Sequence, residues 1–152
     1  MRRKGAFTFV ELLLVIIILG VATAVSVPNL RKSYTNFVLE NFTKDIYYLG
    51  RFLQSNAVAQ GKIYCLNIDY NDPAVWLTVK EKDGFARLQG KFSKSFRAPA
   101  QVKLSSLPAN FSPVYFYPDA SMDRVTIIME NQDNFKVFLI FEGASGGIKI
   151  KK

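Results

Sequence analysis

Residues 7–27 read FTFVELLLVIIILGVATAVSV, an apolar run of 21 positions in which Glu11 is the sole charge. As a helix rising 1.5 Å per residue, such a run matches the roughly 30 Å hydrocarbon core of a bilayer. A helix that is apolar on every side has to be enclosed, by lipid or by other protein. Arg2, Arg3 and Lys4 precede the run as a basic flank. Two readings fit this pattern. One is a secretory signal cut after Ala24, at the small-x-small site Ala22-Thr23-Ala24, which releases a soluble domain. The other keeps the apolar helix as an anchor and removes only the basic leader. Glu11 separates them. A carboxylate near the bilayer centre costs about 2.5–3.5 kcal/mol, and a disposable signal has no evident reason to carry one. The plain alternative role for Glu11 is snorkelling, because it lies only about 6 Å along the helix from Phe7.

The stretch Lys4-Gly5-Ala6-Phe7-Thr8-Phe9-Val10-Glu11-Leu12 resembles the prepilin-peptidase signal of type IV pilins and type II secretion pseudopilins. In that family a basic leader ends in a small residue, usually glycine; phenylalanine follows, and glutamate stands four residues beyond it. The resemblance implies cleavage between Ala6 and Phe7 and N-methylation of Phe7. It also implies that Glu11 neutralises the freed amino group during assembly. Ala6 stands where glycine is usual and Gly5 is one place early, so a cut after Gly5 is the alternative. Pro28 falls where the family often has a helix-bending proline, and proline both removes a backbone donor and crowds the preceding turn.

Beyond Pro28 the pattern becomes amphipathic. Leu30, Tyr34, Phe37, Val38, Phe42, Ile46, Leu49, Leu53 and Ala57 recur at three- and four-residue steps, and Gln60-Gly61 is a helix stop. After Gly61 the period falls to two. Strands are expected over 62–70, 75–79, 85–92, 102–104, 114–117, 125–129 and 135–141, with a last edge strand over 148–150. The expected fold is α+β: a long amino-terminal helix, membrane-spanning in its first half, whose amphipathic second half covers a small antiparallel sheet or sandwich. The segments are a leader (1–6), a transmembrane helix (7–27), an amphipathic helix (28–60) and a periplasmic β-domain (61–152). Three stretches resemble the GspH/FimT-like, H-type branch of minor pseudopilins and minor pilins: residues 42–62, the run VYFYPDAS at 114–121, and the terminal Gly-Gly-Ile-Lys-Ile. That branch more often has glycine after Pro-Asp, where this chain has Ala120.

Enzyme classes narrow sharply. Histidine is absent and Cys65 is the only cysteine, so no disulfide within the chain, no ordinary zinc or copper set and no Ser-His or Cys-His pair can be built. Asp69, Asp72, Asp119 and Asp123 fall near turns, where aspartate serves local hydrogen bonds. No cofactor is expected. The formal charge is +8, and seven basic residues against two acidic ones lie between Lys80 and Lys103, with Phe85, Phe92 and Phe96 among them. Basic residues with aromatics suit single-stranded nucleic acid; a solvated hairpin whose aromatics face the core is the preferred reading. Lys149, Lys151 and Lys152 form a second candidate DNA contact. The resemblance implies a structural subunit, processed by prepilin peptidase and held in the inner membrane, its amino terminus cytoplasmic and its β-domain periplasmic. Its implied partners are other pilins or pseudopilins and an inner-membrane assembly platform. A DNA-binding minor pilin is the alternative.

Overall fold

The computed structural model describes residues 8–152, apart from the side chains of residues 25–29. The chain falls into two units, Met1–Tyr34 and Thr35–Lys152. Helix α1 (Phe9–Gln60) runs through the first and into the second. Gly61 ends it with φ +62°, the left-handed conformation that glycine adopts without a Cβ penalty. In the second unit α1 buries Leu39, Phe42, Ile46, Leu49, Leu53 and Ala57, together with the polar Thr35, Thr43 and Gln54.

Nine strands follow. β1 (Tyr64–Asp69), β2 (Ala74–Glu81), β3 (Gly84–Arg87), β4 (Phe96–Arg97) and β6 (Val114–Phe116) form one sheet in the order β3-β2-β1-β6, with β4 also on β2. β5 (Lys103–Leu107), β7 (Arg124–Glu130), β8 (Lys136–Glu142) and β9 (Ile148–Lys151) form the other, in the order β5-β7-β8-β9. Every pairing is antiparallel. The inward residues of both sheets join the helix in one core. Leu66, Leu77, Val114 and Phe116 come from the first sheet, and Ile127, Met129, Leu139 and Phe141 from the second. Phe116 and Phe141 meet edge to face across the sheets at 5.9 Å. Burying each such side chain contributes about 1.5–3 kcal/mol. At Gly50 the helix approaches closely, since a Cβ there would stand 3.1 Å from both Ile148 Cδ1 and Phe141 Cε1.

The architecture is the expected α+β, with four local differences. The strand expected over 85–92 stops at Arg87, because Gly90 turns the chain (φ +75°) into a short 3-10 segment, Gly90–Phe92. That turn brings the Phe92 ring to 4.4 Å from Phe52 on the helix. The strand expected at 102–104 extends through Leu107, and β4 is an unanticipated pairing. The buried helix stripe is also rephased: Leu30, Tyr34 and Phe37 are exposed, and Leu39 and Thr35 take the inward positions. The segment between β5 and β6 is pinned by side chains. Ser106 Oγ donates to the Pro108 carbonyl and accepts from the Phe111 amide, and the Tyr70 hydroxyl donates to the Phe111 carbonyl at 2.8 Å.

Candidate functional site

The helix start is built by Thr8. Its hydroxyl accepts the Glu11 amide at 3.3 Å, and its carbonyl accepts the Leu12 amide at 3.2 Å. Thr8 is thus an N-cap and Glu11 stands three residues on, the Thr-x-x-Glu spacing of a capping box. A carboxylate in the first turn is also favoured by the helix dipole, by about 0.3–1 kcal/mol. Glu11 therefore has a place in the helix start itself, and the Thr8-Phe9-Val10-Glu11 spacing carried that signal in the sequence. Around it the side chains from Phe9 to Val21 are exposed, among them Leu12, Ile16, Ile17, Ile18 and Leu19 at more than half. Among the described residues no helix is long and apolar enough to cross a membrane; Phe7 and the side chains of residues 25–27, which belong to the 21-residue run, lie outside them. So do the Ala6–Phe7 junction and the Pro28 side chain. Ala24, where a secretory cut would fall, lies inside α1.

A second constellation joins the three sequence stretches singled out above. Gln54 is buried on the helix; its Nε2 donates to the carbonyl of Ala120 at 2.8 Å and to that of Gly146 at 2.9 Å. Its Oε1 accepts from Arg51 Nη1 at 2.9 Å. One amide thereby ties the helix to the VYFYPDAS turn and to the glycine turn before β9. Gly146 has φ +65°, and a Cβ there would lie 2.7 Å from the Ala120 carbonyl oxygen and 2.8 Å from Gln54 Nε2, so no other residue fits. The turn after β6 closes through Ala120 N–H to Tyr117 O and Tyr117 N–H to Ser121 O. With Ala120 at φ +69°, this is the three-residue hairpin loop whose left-handed position glycine usually fills. Gln54 was missed by periodicity because it is a polar residue on the buried side; its partners lie 66 and 92 residues away.

The candidate DNA contacts are differently placed. Lys149 pairs with Glu142, whose carboxyl it holds below the usual carboxylate range, and Lys152 pairs with Glu40 at 2.7 Å. Lys151 is exposed. In the 80–103 segment Arg97 pairs with Asp72, and Arg87 lies over the Trp76 ring at 5.7 Å. Phe92 and Phe96 pack on the core, while Phe85 is exposed beside Tyr115. Of the four turn aspartates, Asp72 takes the Arg97 ion pair and the other three serve local bonds. Asp69 accepts from the Asn71 and Asp72 amides, Asp119 from Ser121, and Asp123 from the Tyr115 amide and the Tyr117 hydroxyl. Cys65 is buried on β1, and that burial pushes its thiol up to about 11, with the Thr78 hydrogen bond opposing and Asp123 adding to the shift.

The family model described as the prokaryotic N-terminal methylation motif matches residues 1–27. In fold, the chain is similar to the minor pseudopilin EpsH of the type 2 secretion system of Vibrio cholerae. The TM-score is 0.66 at 12% identity, over 74% of this chain and 95% of that one. It is also similar to the type IV minor pilin FimU of Pseudomonas aeruginosa, with a TM-score of 0.56 at 10% identity, over 75% of this chain and 88% of that one. The chain has a pilin-like fold behind a prepilin-type amino terminus. No curated protein matches it in sequence. At such low identity the pilin-like fold rests on the arrangement itself, a long helix packed on antiparallel sheets, and not on shared surface residues. The glycine turns and Gln54, which set that arrangement at the end of the helix, are internal to the fold. Beyond the helix start, Glu11 and the apolar positions around it leave their side chains exposed.

Proposed function

We propose that this chain is a minor pseudopilin or minor pilin, a structural subunit and not a catalyst. It is made with a leader of residues 1–6, which prepilin peptidase removes between Ala6 and Phe7, and Phe7 is then N-methylated. Residues 7–27 hold it in the inner membrane, with the β-domain on the periplasmic side, until it joins a short filament through the helix. One observation carries this reading: the first turns of α1 present apolar side chains all round, exposed, with Glu11 as the one charge among them. A surface of that kind is stable only when lipid or neighbouring helices cover it. Inside such a layer, a carboxylate facing a neighbour's amino group is worth far more than in water, and it sets register along with attraction.

The test uses Glu11→Gln in the full chain. Glutamine retains the capping-box spacing, so the helix start is preserved and only the charge is removed. Leader cleavage is expected to proceed, with the mature protein beginning at Phe7, while incorporation into filaments falls. Normal incorporation of the variant would remove the assembly role of Glu11, and a mature protein beginning at Val25 would overturn the anchored-subunit reading.

A further inference from the structure

We propose that the open edge of β9 accepts a fifth strand from a neighbouring subunit, a segment in which acidic and apolar residues alternate. β9 is last in its sheet, and among the described residues it pairs only with β8. The Glu142 amide donates to the Gly147 carbonyl at 2.9 Å, which fixes the phase of the ladder. Antiparallel alternation then makes Ile140–Lys149 and Phe138–Lys151 the hydrogen-bonded pairs. The backbone N–H and C=O groups of Ile148 and Ile150 therefore point away from β8, toward the open edge, ready for a partner strand about 4.8 Å away.

The two faces of β9 specify that partner. Ile148 and Ile150 share the inward face, yet Ile150 is 39% exposed, and beside it lies a cavity of about 110 Å³ lined by Glu40, Lys44, Val137, Ile150 and Lys152. The Lys152–Glu40 ion pair forms part of its rim. An apolar side chain from the added strand would complete the core there. The opposite face carries Lys149 and Lys151. Lys149 already has Glu142, and among the described residues Lys151 has no ion pair. Acidic residues directly opposite these lysines stabilise a strand pair, and like charges oppose it. A second copy of β9 would set lysine against lysine, so the occupant is a different segment. Lysines also protect edges from unwanted pairing, but edge protection does not require an uncovered isoleucine above a cavity.

This inference deepens the subunit reading, which supplies the neighbour; it can fail while leader cleavage and the Glu11 result hold. The test titrates detergent-solubilised full chain with a fluorescent nine-residue peptide alternating glutamate and valine. A scrambled peptide and a lysine–valine alternation serve as controls. Saturable binding of the Glu–Val peptide alone is expected. Ile150→Pro removes an outward amide without touching the β8 ladder, and binding should weaken about five- to tenfold. Lys151→Glu should weaken it about two- to fivefold and shift preference toward the lysine–valine peptide, with thermal unfolding unchanged. Should Ile150→Pro not fold, the charge reversal at the exposed Lys151 still decides. Equal binding of the scrambled peptide, indifference to both substitutions, or no saturable binding would each overturn the proposal.

Discussion

Replacing Gln54 tests how the helix end is locked to the two turns. Gln54→Leu keeps an aliphatic stem, one bond shorter, but removes both donors, stranding the carbonyls of Ala120 and Gly146. An unsatisfied buried acceptor costs about 1–3 kcal/mol; because both residues are only half-buried, water recovers part of this, and the expected loss is about 2 kcal/mol in total. Gln54→Glu sharpens the experiment. At neutral pH it points a carboxylate at two carbonyl oxygens, which raises its folded-state pKa above the ordinary value of about 4.3, while the Arg51 guanidinium at Oε1 opposes part of that rise. A group raised in this way destabilises the fold only where it is charged. Its deficit relative to the parent chain therefore shrinks as pH falls toward about 4, and grows as pH rises through the folded pKa. The protonated acid also regains one O–H donor. Trp76, the only tryptophan, reports urea unfolding from β2 by its fluorescence. A leucine variant within about 0.5 kcal/mol of the parent, or a glutamate variant whose deficit is flat from acid to neutral pH, would refute the assignment of Gln54 as the lock.

Ala120→Gly should stabilise the chain, because a left-handed Ala costs about 1–2 kcal/mol and glycine's extra unfolded freedom returns about 0.5–1 of it. A net gain of about 0.5–1 kcal/mol in the same urea assay is expected, and a loss would mean that the turn does not use φ > 0 at that position. Cys65, buried and with its thiol raised to about 11, should resist iodoacetamide at pH 8 in the folded chain and react readily in urea. Fast labelling of the native protein would place it at the surface instead.

Much of this arrangement was legible because it rests on strong local rules. The stop at Gly61, the alternating strands from β5 to β9 and the edge position of β9 all follow from period and turn chemistry. Ala120 was visible as a departure from a resembling pattern, and its positive φ supplies the physical reason for glycine there. Other features depended on distant partners. The burial of Thr43 rests on a hydroxyl that bonds back to Leu39 and lies 3.0 Å from Met129 Sδ, 86 residues away. Thr35 is tied to Asp133 at 2.7 Å, and Asn131 donates to Asn36 at the same distance. Polar residues on a buried face are invisible to a search for apolar periodicity until their partners are known.

The misphased helix stripe has a more general cause. At 100° per residue, Phe37 and Tyr48 lie on one side of the helix and Leu39, Ile46 and Leu53 lie on nearly the opposite side. The second set is buried and the first is exposed by more than 60%. Averaging over both stripes, the apolar pattern pointed between them and drew Leu30, Tyr34 and Phe37 into a core they do not enter. A helix that serves only its own sheets has no use for large side chains on its outer side, where lysine or glutamate would be more soluble. Two apolar stripes on one helix mean two surfaces to cover. The domain's own sheets cover only one of them. The same logic holds for the residues around Glu11, where every side of the helix is apolar and none is covered. The apolar residues in excess of what this chain can bury are, on the subunit reading, the part of its sequence written for its neighbours.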